Sequence, residues 1–299
     1  MLSPRWRWRL KRWQENLAEL LSRGRGPAKP RLCPACGLLV GAQEKTCSHC
    51  GARMSAFSLT SLRRIALAAL PAETPVSYML LIANALFFLV PWLLALERGG
   101  AGPFADIPLD LHRRLGAKDG FSILYLHEYW RLVMPIFLHA DLWHLLFNSF
   151  MLYQIGPQVE ELFGSPRFLF LYLATGVAGF LASTYWYPPL MVSVGSSGAL
   201  FGLVGVLIAY LGHHSFAPEY RTAFIRWIVL MLALGIFFPF DNAAHVGGLG
   251  SGFVLGRVVS DRRPATAAQR FTVWLMGWGS AAVILASLVL TMLHLRPAG

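Results

Sequence analysis

Apolar residues run along this chain in stretches too long for ordinary core helices, and polar residues interrupt them at a few set places. The stretches cover residues 76–96, 142–155, 168–187, 195–211, 224–240, 243–259 and 271–293. A membrane span needs about 17–25 mainly apolar residues, so the first, third and last meet the requirement alone. The other four are short or interrupted and need protein around them. The pattern predicts seven helices and an all-α, polytopic membrane protein. Between 97 and 130 lies a polar segment containing proline and glycine, with no spanning character; loops of this length inside a compact domain are functional or disordered. Residues 1–22 predict a basic amphipathic helix with Trp6, Leu10, Trp13, Leu17 and Leu20 on one face. Such a helix suits an anionic leaflet, or packing on the next module.

Composition agrees with the pattern. With 56% hydrophobic and 14% charged residues, the chain is no ordinary soluble domain. Its net charge of +11 is concentrated in residues 1–64. A basic N-terminus invites a nucleic-acid partner, but in a membrane protein topology is the commoner cause, because basic flanks stay in the cytoplasm. Nucleic acid is therefore not favoured. The rule puts the N-terminus, a turn at 156–167, and the 212–226 and 257–270 loops inside. Arg98, Arg113, Arg114 and Lys118 in the external segment count against it without reversing the balance. No cleavable signal peptide is evident.

All four cysteines fall in "CPACGLLVGAQEKTCSHCG". Cys33, Cys36, Cys47 and Cys50 form two C-x2-C pairs, each followed by glycine, which allows a tight turn at the sulfurs. Four thiolates make a closed tetrahedral zinc site, so the expected Zn2+ is structural and the segment resembles a small zinc ribbon. A redox pair or disulfide is the less favoured reading, and His49 is a bystander. Ribbons of this kind support interactions, here with a cytoplasmic protein partner.

Ionisable groups inside spans are costly, which makes them functional candidates. His144 and Asn148 stand four apart on one face of the second predicted helix. Ser197 opens the fourth helix and His245 the sixth. These helices run in the same direction, so the polar groups come to one depth, toward the external face. Gly198 and Gly202 on one helix, and Gly248 and Gly252 on the other, form small-residue seams that let backbones approach closely. A serine–imidazole hydrogen bond needs about 2.6–3.2 Å between heavy atoms, and the glycines make that reachable. His245 would then act as general base on the Ser197 hydroxyl. The Ser197 backbone N–H, Asn148 and His144 would stabilise the oxyanion. Asp241 is a less favoured orienter of His245, since it stands in the preceding loop. Taken singly, each of these residues has an ordinary structural explanation; their coincidence at one depth does not.

At these residues the chain resembles the rhomboid family of intramembrane serine proteases, over residues 75–260. "HLLFN" is similar to the family's HxxxN, "GSSG" to GxSG and "AHVGG" to AHxxG. "YWRL" is similar to the Trp-Arg of the first external loop, and "GPQVEELFG" to a Gly-x3-Glu-x3-Gly pattern. The resemblance implies a six-helix core and a Ser197–His245 dyad with no aspartate, needing no cofactor. It also implies oxyanion donors at Asn148 and His144, and a cavity open to the outside. Trp130 and Arg131 would lie in a membrane-embedded loop that His139 joins and Glu160 supports. Phe201 stands where many relatives carry a tyrosine stacked on the catalytic imidazole. Residues 271–293 would add a seventh helix, a six-plus-one arrangement.

The expected organisation is a basic segment and linker at 1–30, a ribbon at 31–54, a protease core at 75–260, and a cytoplasmic loop with the last helix at 261–299. The expected function is endopeptidase cleavage of single-span or otherwise membrane-anchored proteins. The expected location is a bacterial inner membrane, with the N-terminus in the cytoplasm and the lipid bilayer as constant partner. A catalytically inactive relative that binds and escorts membrane helices is the alternative. A transporter fits less well, because its polar groups would line a path.

Overall fold

The computed structural model describes residues 31–32, 38–41, 44, 46–51, 73–97, 104, 106–212, 218–237 and 240–295. The chain divides into two compact units, Met1–Leu67 and Ala68–Gly299. In the first, β1 (Arg31–Leu32) pairs antiparallel with β2 (Leu39–Val40). Cys47 is buried and Cys50 exposed, and the Gly51 N–H closes the turn between them on the Cys47 carbonyl at 2.9 Å. Gly51 sits at φ 71°, a conformation that glycine adopts freely. Cys33, Cys36 and the amphipathic 1–22 segment lie outside the described residues. Among the described residues, no group of three or more His, Cys, Asp or Glu could hold a metal ion.

The second unit is mostly helical. Its long helices are α1 (Pro75–Glu97), α4 (Leu142–Phe163), α5 (Ser165–Trp186), α6 (Ser197–Gly212), α7 (Pro218–Phe237), α8 (Asn242–Val258) and α9 (Ala267–Leu295). Short helices α2 (Leu109–Arg114) and α3 (Gly120–Tyr125) lie between α1 and α4. Each predicted apolar stretch falls on one of the long helices. Three of them, α1, α5 and α9, are long and apolar enough to cross a membrane. Helix α6 is the centre: it is apolar on every side, and 11 of its 16 residues are buried, as expected for a helix surrounded by others. Helix α9 is the opposite. Its buried residues are Ser280, Ser287 and Thr291, while Trp274, Trp278 and Leu285 point outward as lipid-facing surface would.

The expected turn at 156–167 is mostly helix. Gly156 and Pro157 do not stop α4; Gly156 is instead a contact point, where an added Cβ would stand 3.0 Å from Ser77 Oγ of α1. The chain turns only at Gly164, with φ 80°.

Glu160 also differs from expectation. Its buried carboxylate accepts the Val76 and Ser77 backbone N–H groups at 3.0 and 2.7 Å, and the hydroxyls of Ser77 and Ser165 at 2.7 and 2.6 Å. A negative charge on the first turn of α1 satisfies amides that have no partner within the helix. Glu160 thus fastens α1 and α5 to the C-terminal end of α4. The first loop lies at the other end of α4, roughly 25 Å away at 1.5 Å per residue, so Glu160 does not support it.

The polar segment after α1 is ordered from short pieces held by long-range contacts. β3 (Lys118–Asp119) pairs antiparallel with β4 (Val192–Ser193), and two single-turn 3₁₀ helices occupy Tyr129–Leu132 and Met134–Ile136. Arg131 ties them together. Its guanidinium meets the Glu128 carboxylate and donates to the carbonyls of Arg113 (2.6 Å) and Ala117 (3.2 Å). Trp130 packs against His294 at the end of α9, with ring centroids 4.5 Å apart, and His294 Nε2 lies 3.4 Å from Glu128. The seventh long helix therefore touches the loop that Arg131 organises.

His139 belongs to this loop as expected. It is fully buried, donates through Nδ1 to the Phe137 carbonyl at 3.2 Å, and offers its own carbonyl to His112 Nε2 at 3.2 Å. Burial holds both imidazoles below their ordinary range, His139 well below it with the neighbouring His144 adding to the effect. The folded protein therefore refuses protons that the unfolded chain accepts below about pH 6.5. Stability is full above that pH and declines as pH falls below it, by at most about 1.4 kcal/mol per pH unit for each histidine. Thermal unfolding in detergent from pH 7.5 to 5 should show this acid loss. His112→Gln, which keeps a donor for the His139 carbonyl, should make it shallower. Parallel pH profiles would show that His112 carries none of it.

Candidate active site

Helix starts bring the polar groups together. Asp141 caps α4, accepting the His144 N–H at 2.9 Å, and Asp241 caps α8 in the same way, accepting the Ala244 N–H at 2.9 Å. The other Asp241 oxygen accepts the Ser183 hydroxyl at 2.5 Å. Both oxygens are thus engaged away from the His245 ring, and Asp241 does not orient it.

His144, Ser197 and His245 all lie in the first turn of their helices. His245 Nε2 stands 2.9 Å from Ser197 Oγ. For the hydroxyl to donate there, the ring proton must sit on Nδ1, which is buried and meets no hydrogen-bond partner among the described residues. The ring is steadied by stacking instead: Phe201 lies parallel to it, with centroids 4.3 Å apart and planes 8° apart, and Trp227 backs Phe201 at 5.0 Å. The arrangement is a pair: an aromatic face, and no carboxylate among the described residues, packs against the imidazole.

The glycine seam explains the approach. A Cβ at Gly248 would lie 2.0 Å from the Gly198 carbonyl oxygen, and one at Gly252 would lie 1.9 Å from that of Gly202. A Cβ at Gly202 would run into Thr175 of α5 at 2.2 Å. Gly198 is different: its Cβ would meet the Ala244 carbonyl at 3.4 Å, an ordinary contact. The close spacing between α6 and α8 therefore needs Gly248 and Gly252 of α8 and Gly205 of α6, whose Cβ would lie 2.3 Å from the Leu249 carbonyl oxygen, while Gly198 offers only its backbone.

The sequence left the His144 tautomer open. Nδ1 accepts the Ala140 backbone N–H at 3.3 Å, which leaves the proton on Nε2. Nε2 points at Gly195, where a Cβ would come within 2.6 Å of it. Gly195 also sits at φ 122° and is tied by its N–H to the Pro135 carbonyl at 2.8 Å. The sequence pattern placed Gly195 in the GSSG match but could not show these two constraints, which come from residues far away in the chain. Asn148 is buried one turn after His144. Its Nδ2 donates to the His144 carbonyl at 2.9 Å, and its Oδ1 accepts the Ser196 hydroxyl at 3.1 Å. The structure thus gathers Ser197, His245, Phe201, His144 and Asn148 at one end of the bundle. Trp130, Arg131 and His139 build the adjoining loop, and Glu160 lies elsewhere.

Residues 126–262 match the Rhomboid domain. The chain is 40% identical over 141 residues to Rhomboid protease GluP of Bacillus subtilis (strain 168), covering 46% of this chain and 27% of that protein. It is 40% identical over 151 residues to RHOMBOID-like protein 1 of Arabidopsis thaliana, covering 48% and 38%. It is 34% identical over 161 residues to RHOMBOID-like protein 6, mitochondrial, of Arabidopsis thaliana, covering 52% of each chain. These findings support the rhomboid family. The matches span from about a quarter to about half of these relatives' own lengths. The rhomboid match contains every residue of the gathered site but not α1 or α9. Together with the long apolar helices it supports an integral membrane protein, and named rhomboid protease relatives support intramembrane proteolysis at the level of the family.

Proposed function

We propose that this protein is an active serine endopeptidase of the rhomboid type, cutting membrane-anchored proteins in or beside their transmembrane helix. The observation that carries this reading is the 2.9 Å contact between His245 Nε2 and Ser197 Oγ, part-buried at the starts of two apolar helices. His245 takes the hydroxyl proton as Ser197 Oγ bonds to the scissile carbonyl carbon. The protonated ring then returns that proton to the departing amine, leaving an acyl-enzyme. Water, deprotonated by the same nitrogen, attacks the ester and frees Ser197. Negative charge on the carbonyl oxygen is met by His144 Nε2–H, the remaining N–H of Asn148 and the Ser197 amide. Substrates with helix-weakening residues near the external surface can offer an exposed backbone carbonyl.

The wider proposal is a six-plus-one membrane topology with a cytoplasmic N-terminus in a bacterial inner membrane. The first loop, including Trp130 and Arg131, is embedded in the bilayer beside an opening to the outside. A structural zinc on Cys33, Cys36, Cys47 and Cys50 belongs to it as well; closed four-thiolate coordination supplies folding free energy and no chemistry. A cytoplasmic protein partner for that module completes the proposal.

The test is reconstitution in liposomes with a fluorogenic single-span substrate, together with a fluorophosphonate probe. The expected result is cleavage, with the covalent adduct mapped to Ser197. Substrate binding with neither cleavage nor adduct would replace this reading with that of an inactive relative that holds membrane helices.

A further inference from the structure

The "GSSG" segment carries two adjacent serines, and the structure gives them different surroundings. Ser197 faces His245. Ser196 is fully buried and faces away from it, toward Asn148. The direction of that contact follows from Asn148 itself. Its Nδ2 is fixed as a donor, because its partner at 2.9 Å is the His144 carbonyl, which can only accept. The other end of the carboxamide is then Oδ1, and Ser196 must donate its hydroxyl proton to it at 3.1 Å.

Behind Ser196 stands Tyr172 of α5, fully buried, its hydroxyl beside the side chains of Ser196 and Asn84. Among the described residues, the Tyr172 hydroxyl and both polar atoms of Asn84 have no hydrogen-bond partner. An unmet hydroxyl in an apolar bundle carries a desolvation cost, and the Ser196 hydroxyl, standing between Tyr172 and Asn148, is the polar group that can lower it for Tyr172.

We propose that Ser196 is a positioning residue for the oxyanion donor. Its hydroxyl, backed by Tyr172, holds the Asn148 carboxamide in the one orientation that leaves an N–H free to face the carbonyl attacked by Ser197. Without it the carboxamide can rotate, and the donor is lost for part of the time. The inference rests on the proposed protease activity and on Asn148 as an oxyanion donor. It assigns Ser196 no contact with the substrate.

The test is a double-mutant cycle on kcat and KM with the reconstituted single-span substrate, using wild type, Ser196→Ala, Asn148→Ala and the double variant. Loss of an oxyanion donor lowers kcat by about 10²–10³-fold, which is the expectation for Asn148→Ala. Misorienting the donor should cost somewhat less, about tenfold to a hundredfold, with KM within about twofold. The decisive comparison is the second step. If Ser196 acts through Asn148, removing it when position 148 is already alanine should change kcat by less than about twofold. A full Ser196→Ala loss in that background would overturn the proposal, and so would an unchanged kcat in the single variant. An inactive wild type would sink the protease reading and this inference together. Active wild type with additive losses sinks this inference alone.

Discussion

Alanine at Ser197 or at His245 is expected to remove cleavage down to background, and alanine at both to remove no more. The two side chains act on one proton. With the hydroxyl 2.9 Å from Nε2, deleting either partner leaves the other with nothing to attack or nothing to deprotonate. Residues that work as a unit are non-additive; in subtilisin, loss of the serine or the histidine alone costs about 10⁶-fold, roughly as much as losing the whole triad. Here the expected fall in kcat is at least about 10⁴-fold for each single variant, with KM little changed, because neither group is needed to hold a transmembrane substrate. The measurement is kcat for wild type, both singles and the double in one lipid composition. Losses that multiply in the double variant would mean that Ser197 and His245 contribute separately, and the dyad would have to be abandoned.

What the sequence made legible was whatever depends on local pattern. Long apolar runs marked the helices, and the i, i+4 spacing put His144 and Asn148 on one face. Small residues marked the seam that lets Ser197 meet His245. Where the sequence failed, contacts distant in the chain decided. Glu160 was expected to support the first loop, but its partners are the first amides of α1, more than eighty positions earlier. The 97–130 segment reads as shapeless because β3 is two residues long and exists only by pairing with β4. The Arg131 contacts to the Arg113 and Ala117 carbonyls leave no trace in residue type. Glycines illustrate both limits. Gly248 and Gly252 were recognisable as a seam, yet the room left at Gly198 and the positive φ and tight space at Gly195 depend on which atoms stand opposite. The same holds for Ser196: the GxSG pattern picks out Ser197, while its neighbour's contact with Asn148 shows only in the fold.

Gly252→Val is expected to destroy both activity and much of the stability, while Gly250→Ala two positions away leaves both intact. A Cβ on Gly252 would lie 1.9 Å from the Gly202 carbonyl oxygen, 2.6 Å from its carbon and 2.8 Å from its Cα. All three are backbone atoms of the central helix, so no side-chain rotation can relieve the clash. Restoring ordinary contact requires α8 to move off α6 by more than an ångström, and valine adds two further carbons. Overpacking of this kind costs about 1–3 kcal/mol and occasionally more; a clash with a buried backbone belongs at or above the upper end. Activity should fall further than stability, because a serine–imidazole bond works only within about 2.6–3.2 Å and both partners ride on the helices being pushed apart. At Gly250 a Cβ meets nothing within 4 Å. Alanine there should be neutral, or should stabilise by up to about 1 kcal/mol through better helix propensity. Thermal unfolding and cleavage rates for the two variants side by side test the claim that backbone contact between α6 and α8 sets the dyad distance. A Gly252→Val protein that stays folded and cleaves normally would show that the helices have slack at this point, and that something other than the glycine seam holds Ser197 to His245.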